Sequence, residues 1–191
     1  MGAATHSALL VAVPAAEALI SEHRARLDPS ALRGVPPHVT VLYPFMAPDE
    51  IDDDVVECLA RGFAACPRFQ FELADVRWFG DTVAYLAPEP AGPFRDLTRN
   101  AVELFPAFPP YQGAYADLTP HVTIGQDAPI DVLRAAVDAV ATALPIHTSA
   151  TALTLMVGGT EPASWRVHTQ FPFGSERPRA GYPGEQRATH D

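Results

Sequence analysis

Pro37-His38-Val39-Thr40-Val41 recurs almost unchanged as Pro120-His121-Val122-Thr123-Ile124. Each copy is a β-branched run of the kind that forms strands. Strand side chains alternate between faces. His38 and Thr40 therefore share a face, and so do His121 and Thr123. Val39, Val41, Val122 and Ile124 turn the other way, toward a core. A single His-X-Thr says little, because a histidine satisfied in a core or on a surface is common. Two copies say more: each follows a proline, each sits in an apolar strand, and they lie in opposite halves of the chain. A structural histidine has no need of a matched threonine in both places. With the strands side by side, two imidazoles and two hydroxyls surround one small space.

That set suits transfer at a phosphate. A neutral imidazole takes a proton from a nucleophile while a protonated one gives a proton to the leaving oxygen. Hydroxyls donate hydrogen bonds to the non-bridging oxygens, where charge must be held. On this reading His38 and His121 are acid and base, in an order the sequence leaves open. Thr40 and Thr123 hold phosphate oxygens, and no metal or other cofactor is required.

The paired motifs resemble the signature of the two-histidine phosphoesterases, the superfamily that includes the 2'-5' RNA ligase-like proteins and cyclic nucleotide phosphodiesterases. Both copies match its pattern of histidine, any residue, threonine or serine, then an apolar residue. The resemblance runs from about Leu9 to Phe173. It implies a bilobal α+β fold whose motifs face each other across a cleft, and metal-independent phosphodiester chemistry. The placement of the motifs adds two related halves, each with an antiparallel sheet and helices, about a pseudo-twofold axis. Residues 1–174 are expected to form one bilobal domain. The proline-rich residues 88–93 are the expected lobe boundary, and the polar residues 175–191 an expected disordered tail.

A chain of 191 residues with 48% hydrophobic content can bury a sizeable core. No apolar run is long enough for a membrane span. No basic region precedes the first apolar stretch, so a signal peptide is not expected. Cys58 and Cys66 make no metal or disulfide framework. A cytoplasmic monomer is the expectation. The net charge of −10 speaks against grip on long duplex nucleic acid. A small nucleotide or an RNA end is the expected partner. Every basic residue is arginine, which excludes the lysine-adenylate chemistry of ATP-dependent ligases.

In chain order, residues 7–13 read as a buried strand and 15–27 as a helix. Leu19, Ile20 and Leu27 form the apolar face of that helix, with Glu17, Glu22, Arg24 and Arg26 solvated; Asp28-Pro29-Ser30 stops it. Pro36 and Pro37 stiffen the approach to His38. Alternation puts Tyr43 with Val39 and Val41, in the core. The acids Asp52-Asp53-Asp54 read as the solvated start of a helix over 51–65 rather than as a metal site. Residues 69–73 are a strand, and 77–79 with 82–86 a hairpin about Gly80-Asp81. Residues 94–105 read as a helix. Residues 106–119 are an aperiodic loop at the rim of the site, where Tyr111 and Tyr115 can stack on a base or ribose, or simply pack the loop down. The helical period over 130–144 predicts a helix. Residues 147–157 predict one strand and 164–171 a last one. On that last strand Arg166, His168 and Gln170 share a face, and Arg166 meets a phosphate if that face lines the cleft.

The sequence thus points to hydrolysis of a 2′,3′-cyclic phosphate or a 2′-5′ phosphodiester on a nucleotide or RNA end. Ligation of RNA ends is the reverse of similar chemistry. A histidine-ligated metal hydrolase is a rival, weakened by the lack of a third ligand at recognisable spacing. A binding module without turnover is another, opposed by the intact residues in both motifs.

Overall fold

The computed structural model describes residues 4–114 and 118–174. Tyr115 and the expected tail lie outside them. Eight strands among these residues form two four-stranded antiparallel sheets. The first has the order β2-β1-β7-β8, from β1 (His6–Ala12), β2 (His38–Leu42), β7 (Ala152–Gly158) and β8 (Arg166–Pro172). The second has the order β5-β4-β3-β6, from β3 (Phe69–Phe79), β4 (Val83–Glu89), β5 (Val122–Gln126) and β6 (Ile146–Ala150). The helices are α1 (Glu17–Leu27), α2 (Pro29–Leu32), α3 (Asp53–Ala64), α4 (Gly92–Leu104) and α5 (Ile130–Ala141). This is the expected bilobal α+β architecture. Each lobe contains the same unit: a strand, a helix, then a motif strand paired antiparallel to the first, as β1-α1-β2 and β4-α4-β5. Each motif strand is the edge of its sheet.

The alternation read from the motifs is present. Val39, Val41, Val122 and Ile124 are buried in one core that both sheets share, while His38, Thr40, His121 and Thr123 keep part of their surface. The helices cross over: α1, which connects β1 to β2, packs against β5, and α4, which connects β4 to β5, packs against β2. Each motif strand is thus backed by a helix from the other lobe. α3 begins as the acids predicted. Asp52 caps it, its carboxylate accepting from the Val55 N–H at 2.9 Å, a contact worth about 1 kcal/mol. Among the described residues no helix is long and apolar enough to cross a membrane.

Two readings of the sequence change. The strand over 69–73 and the first arm of the hairpin are one strand, β3. A register shift between Leu73 and Asp75 interrupts its alternation and hides its continuity. The strand expected over 147–157 is two: β6 pairs with β3 in the second sheet, and after Thr151 the chain joins the first sheet as β7. Both pieces are extended, so only tertiary pairing separates them. Residues 88–93 run from the end of β4 into α4, whereas the chain passes between sheets before β3 and after β6.

Gly125 permits the crossing of α1 over β5. A Cβ there would lie 2.8 Å from Leu27 Cβ and 3.0 Å from Leu133 Cδ2. Leu27 Cβ sits at the root of its side chain and cannot swing away. Gly125→Ala should therefore destabilise the fold by about 1–3 kcal/mol, the usual cost of overpacking. Urea unfolding should show a lower midpoint with an unchanged slope. An unaltered midpoint would mean that α1 slides freely on β5.

Candidate active site

The approach to both histidines is built alike. His38 Nδ1 lies 2.7 Å from the Pro36 carbonyl oxygen, and His121 Nδ1 lies 2.8 Å from the Thr119 carbonyl oxygen. Pro36 and Thr119 each precede a proline, Pro37 and Pro120. A residue before proline is driven to an extended backbone, which leaves its carbonyl pointing along the strand entrance. That explains why a proline precedes each histidine. A carbonyl only accepts, so Nδ1 carries the proton in each ring. In the neutral form Nε2 is then the free basic nitrogen on both histidines.

Burial dominates the charge state of both rings. It holds His38 far below the ordinary imidazole value, down to about 4, against the opposing bond to Pro36. It lowers His121 as well, against the bond to Thr119 and the pull of Asp28. The His121 ring sits against the side of an aromatic pair: Phe79 meets it edge-on at 5.1 Å and Tyr85 at 5.4 Å, while Phe79 stacks on Tyr85 at 4.3 Å.

A cavity of about 540 Å³ opens between the motif edges of the two sheets. Thr40 from β2 and His121 beside β5 line it, with Tyr43, Phe79, Tyr111 and Gln126. His38 and Thr123 are not among its lining residues; each lies two positions from Thr40 or His121 along its own motif, with Thr123 opposite Tyr85 on β4. Tyr111 belongs to the loop expected at the rim, and its N–H donates to the Tyr43 carbonyl at 2.6 Å. Arg166 does not line the cavity. It is exposed on β8, and the face expected for Arg166, His168 and Gln170 is broken by a register shift. Arg166 pairs with Val157 and Gln170 with Thr154, on opposite faces of β7.

Three features escaped the sequence reading. Tyr43 is not a core residue. β2 ends at Leu42, so alternation no longer governs it, and its ring meets Tyr111 at 6.5 Å and Trp165 at 6.3 Å. Phe79 ends β3 with 37% of its surface exposed, at the cavity wall. Arg24 is not solvated: it is 2% exposed and paired with Asp28, itself 1% exposed. Their spacing of four residues on a helix was the available signal.

The 2'-5' RNA ligase superfamily matches residues 12–161, which include both motifs. The chain belongs to this superfamily. It is a family of two-histidine phosphoesterases, as the doubled motif led one to expect. No curated protein matches the chain. Among solved structures, TT0787 of Thermus thermophilus is similar with a TM-score of 0.60 at 18% identity, over 90% of this chain and 100% of that one. E. coli LigT complexed with NADP+ gives 0.57 at 17% identity, over 91% and 100% of the two chains. LigT complexed with 3'-AMP gives 0.55 at 18% identity, over 90% and 99%. At these identities the likeness is one of fold, and it places this 2'-5' RNA ligase superfamily member among two-lobed relatives of similar length.

Proposed function

We propose that this protein is a metal-independent phosphodiesterase that hydrolyses a 2′,3′-cyclic phosphate or a 2′-5′ phosphodiester of a nucleotide or RNA end. The observation that carries the reading is the matched anchoring of two imidazoles through Nδ1, which leaves one basic Nε2 on His121 at the cavity and another on His38, on the strand whose Thr40 lines it. One ring takes the proton of the attacking water and the other protonates the departing ribose oxygen. Thr40 and Thr123 donate to the non-bridging oxygens. Tyr43, Phe79 and Tyr111 give the cavity aromatic walls suited to a base or ribose. Tyr115 keeps its expected place in this role only by its position in the same loop, and Arg166 has none. The size of the cavity and the net charge of −10 favour a small nucleotide or an RNA end over a duplex. The capture of 3'-AMP by LigT agrees with a ligand of that size. A cytoplasmic monomer completes the reading.

The test is a turnover screen in EDTA with 2′,3′-cyclic nucleotides, 2′-5′ dinucleotides and RNA ending in a cyclic phosphate. Activity should survive chelation, because imidazoles and hydroxyls supply both the proton transfers and the charge stabilisation. Complete loss in EDTA with recovery on adding zinc or manganese would sink the mechanism. Tight nucleotide binding with no turnover of any substrate would identify a binding module instead.

A further inference from the structure

Part of the cavity wall holds polar groups to which the proton transfers and phosphate contacts above assign no part. Gln126 and Thr82 line it there, with Val83 and Phe79. Phe79 pairs with Val83 across β3 and β4, and Val83 pairs with Gln126 across β4 and β5. Directly paired residues share a face, so Phe79, Val83 and Gln126 form a row that looks into the cavity. Phe79 ties this row to the reacting end, because its ring also meets that of His121 at 5.1 Å.

The Gln126 amide has a set sense. Its Nε2 donates to Asp28 Oδ1 at 3.5 Å. The bond is long, but a carboxylate has no proton to give, so the reversed amide would set oxygen against oxygen. Asp28 cannot turn away. It is 1% exposed, and Arg24 holds it through Nη2 at 2.8 Å and Nε at 2.9 Å. Ser30 donates to it through its N–H and its hydroxyl, both at 2.9 Å. Gln126 Oε1 has no hydrogen-bond partner among the described residues, and no buried side-chain oxygen among them lacks one, so Oε1 is open. Thr82 is alike. Its hydroxyl gives its proton to the Phe79 carbonyl at 3.4 Å, which leaves only lone pairs outward. These two side chains therefore offer the cavity acceptors and no donor.

We propose that Gln126, locked by the Arg24–Asp28 pair, is a specificity-determining residue that selects a nucleotide whose base carries an exocyclic amine, adenine or cytosine, over one with an oxo group in that place. The inference rests on the phosphodiesterase reading and deepens it. A base laid along Phe79, with its phosphate at the motifs, turns its far edge to Gln126 and Thr82. The exocyclic amine of adenine or cytosine has two protons, one for each acceptor. The oxo group of guanine or uracil meets only lone pairs and stays unpaired, which costs its desolvation. An unanchored glutamine would turn its amide to serve either base, whereas a locked one serves the amine alone. Arg24 and Asp28 touch no substrate and act as positioning residues.

The test is steady-state kinetics on paired 2′,3′-cyclic nucleotides, cytidine against uridine and adenosine against inosine. In each pair kcat/KM should favour the amine by about ten-fold, the scale of one hydrogen bond. Gln126→Leu keeps the bulk, removes the amide and should erase the preference. Asp28→Asn still caps α2 but can present either an oxygen or an amine to Gln126. The preference should therefore shrink in a variant whose thermal midpoint shows it folded, a change that a merely structural ion pair would not produce. A parent that treats the members of each pair alike, or favours the oxo base, would overturn the proposal without any variant. So would a preference that survives in folded Gln126→Leu, and one unchanged in folded Asp28→Asn would overturn the lock. Calorimetric binding of cytidine and uridine 3′-monophosphates separates this inference from the proposed function. A preference for cytidine in a protein that turns over no phosphodiester refutes the function and upholds the base selection. Turnover with no preference does the reverse.

Discussion

His38→Ala and His121→Ala should each lower turnover of a cyclic-phosphate substrate by about a hundred-fold or more, because each removes one of two proton transfers. The double variant should be little worse than the worse single one, since groups that act as a unit are not additive. The parent should show a bell-shaped profile whose limits belong to the coupled pair. One ring must be neutral and the other protonated. Activity should fall on the acid side as both rings become protonated, with His38 the harder to protonate at about 4. It should fall on the alkaline side as both rings become neutral, which burial of both brings below the ordinary imidazole range. The optimum is therefore acidic. His23→Ala and His147→Ala serve as controls and should change almost nothing. His147 is exposed, 3.4 Å from Glu72, on β6 at the opposite edge of its sheet from β5. Near-normal turnover in a well-folded His38→Ala or His121→Ala protein would end the two-histidine reading.

Thr40→Val and Thr123→Val should each lower turnover by about ten- to a thousand-fold, the range for a lost donor to a developing anion. Valine keeps the β-branched shape, and both threonines are only half-buried, so the strands should hold. The two effects need not match. Thr40 lines the cavity itself, whereas Thr123 does not and lies opposite Tyr85 on β4. Steady-state kinetics with thermal midpoints for each variant separate lost chemistry from lost folding. Unaltered turnover in both would remove the threonines from the phosphate.

The motif strands were legible because their period of two is short and repeated, and because burial enforces it at Val39, Val41, Val122 and Ile124. The helix over Ile130–Ala141 was legible for the parallel reason, a sustained helical period. What the sequence hid was set by other parts of the chain. An inserted residue broke the phase of β3 at Ala74, and another separated Arg166 from Gln170 on β8. Two consecutive extended segments joined different sheets about Thr151. Arg24 looked like its solvated neighbours Glu22 and Arg26, and only the arrival of residues 28–35 over it made it a core residue. Tyr43 left the strand one position after alternation stopped applying.

The passage of the chain from one sheet to the other before β3, and back again after β6, has one further result. A chain cut within residues 88–93 gives one fragment with two strands of each sheet and a second fragment with the other two of each. Neither holds a complete sheet, and each carries one motif histidine. Severed pieces regain a working site only by docking on each other, so the protein has the layout of a split reporter whose signal is the meeting of its own two parts.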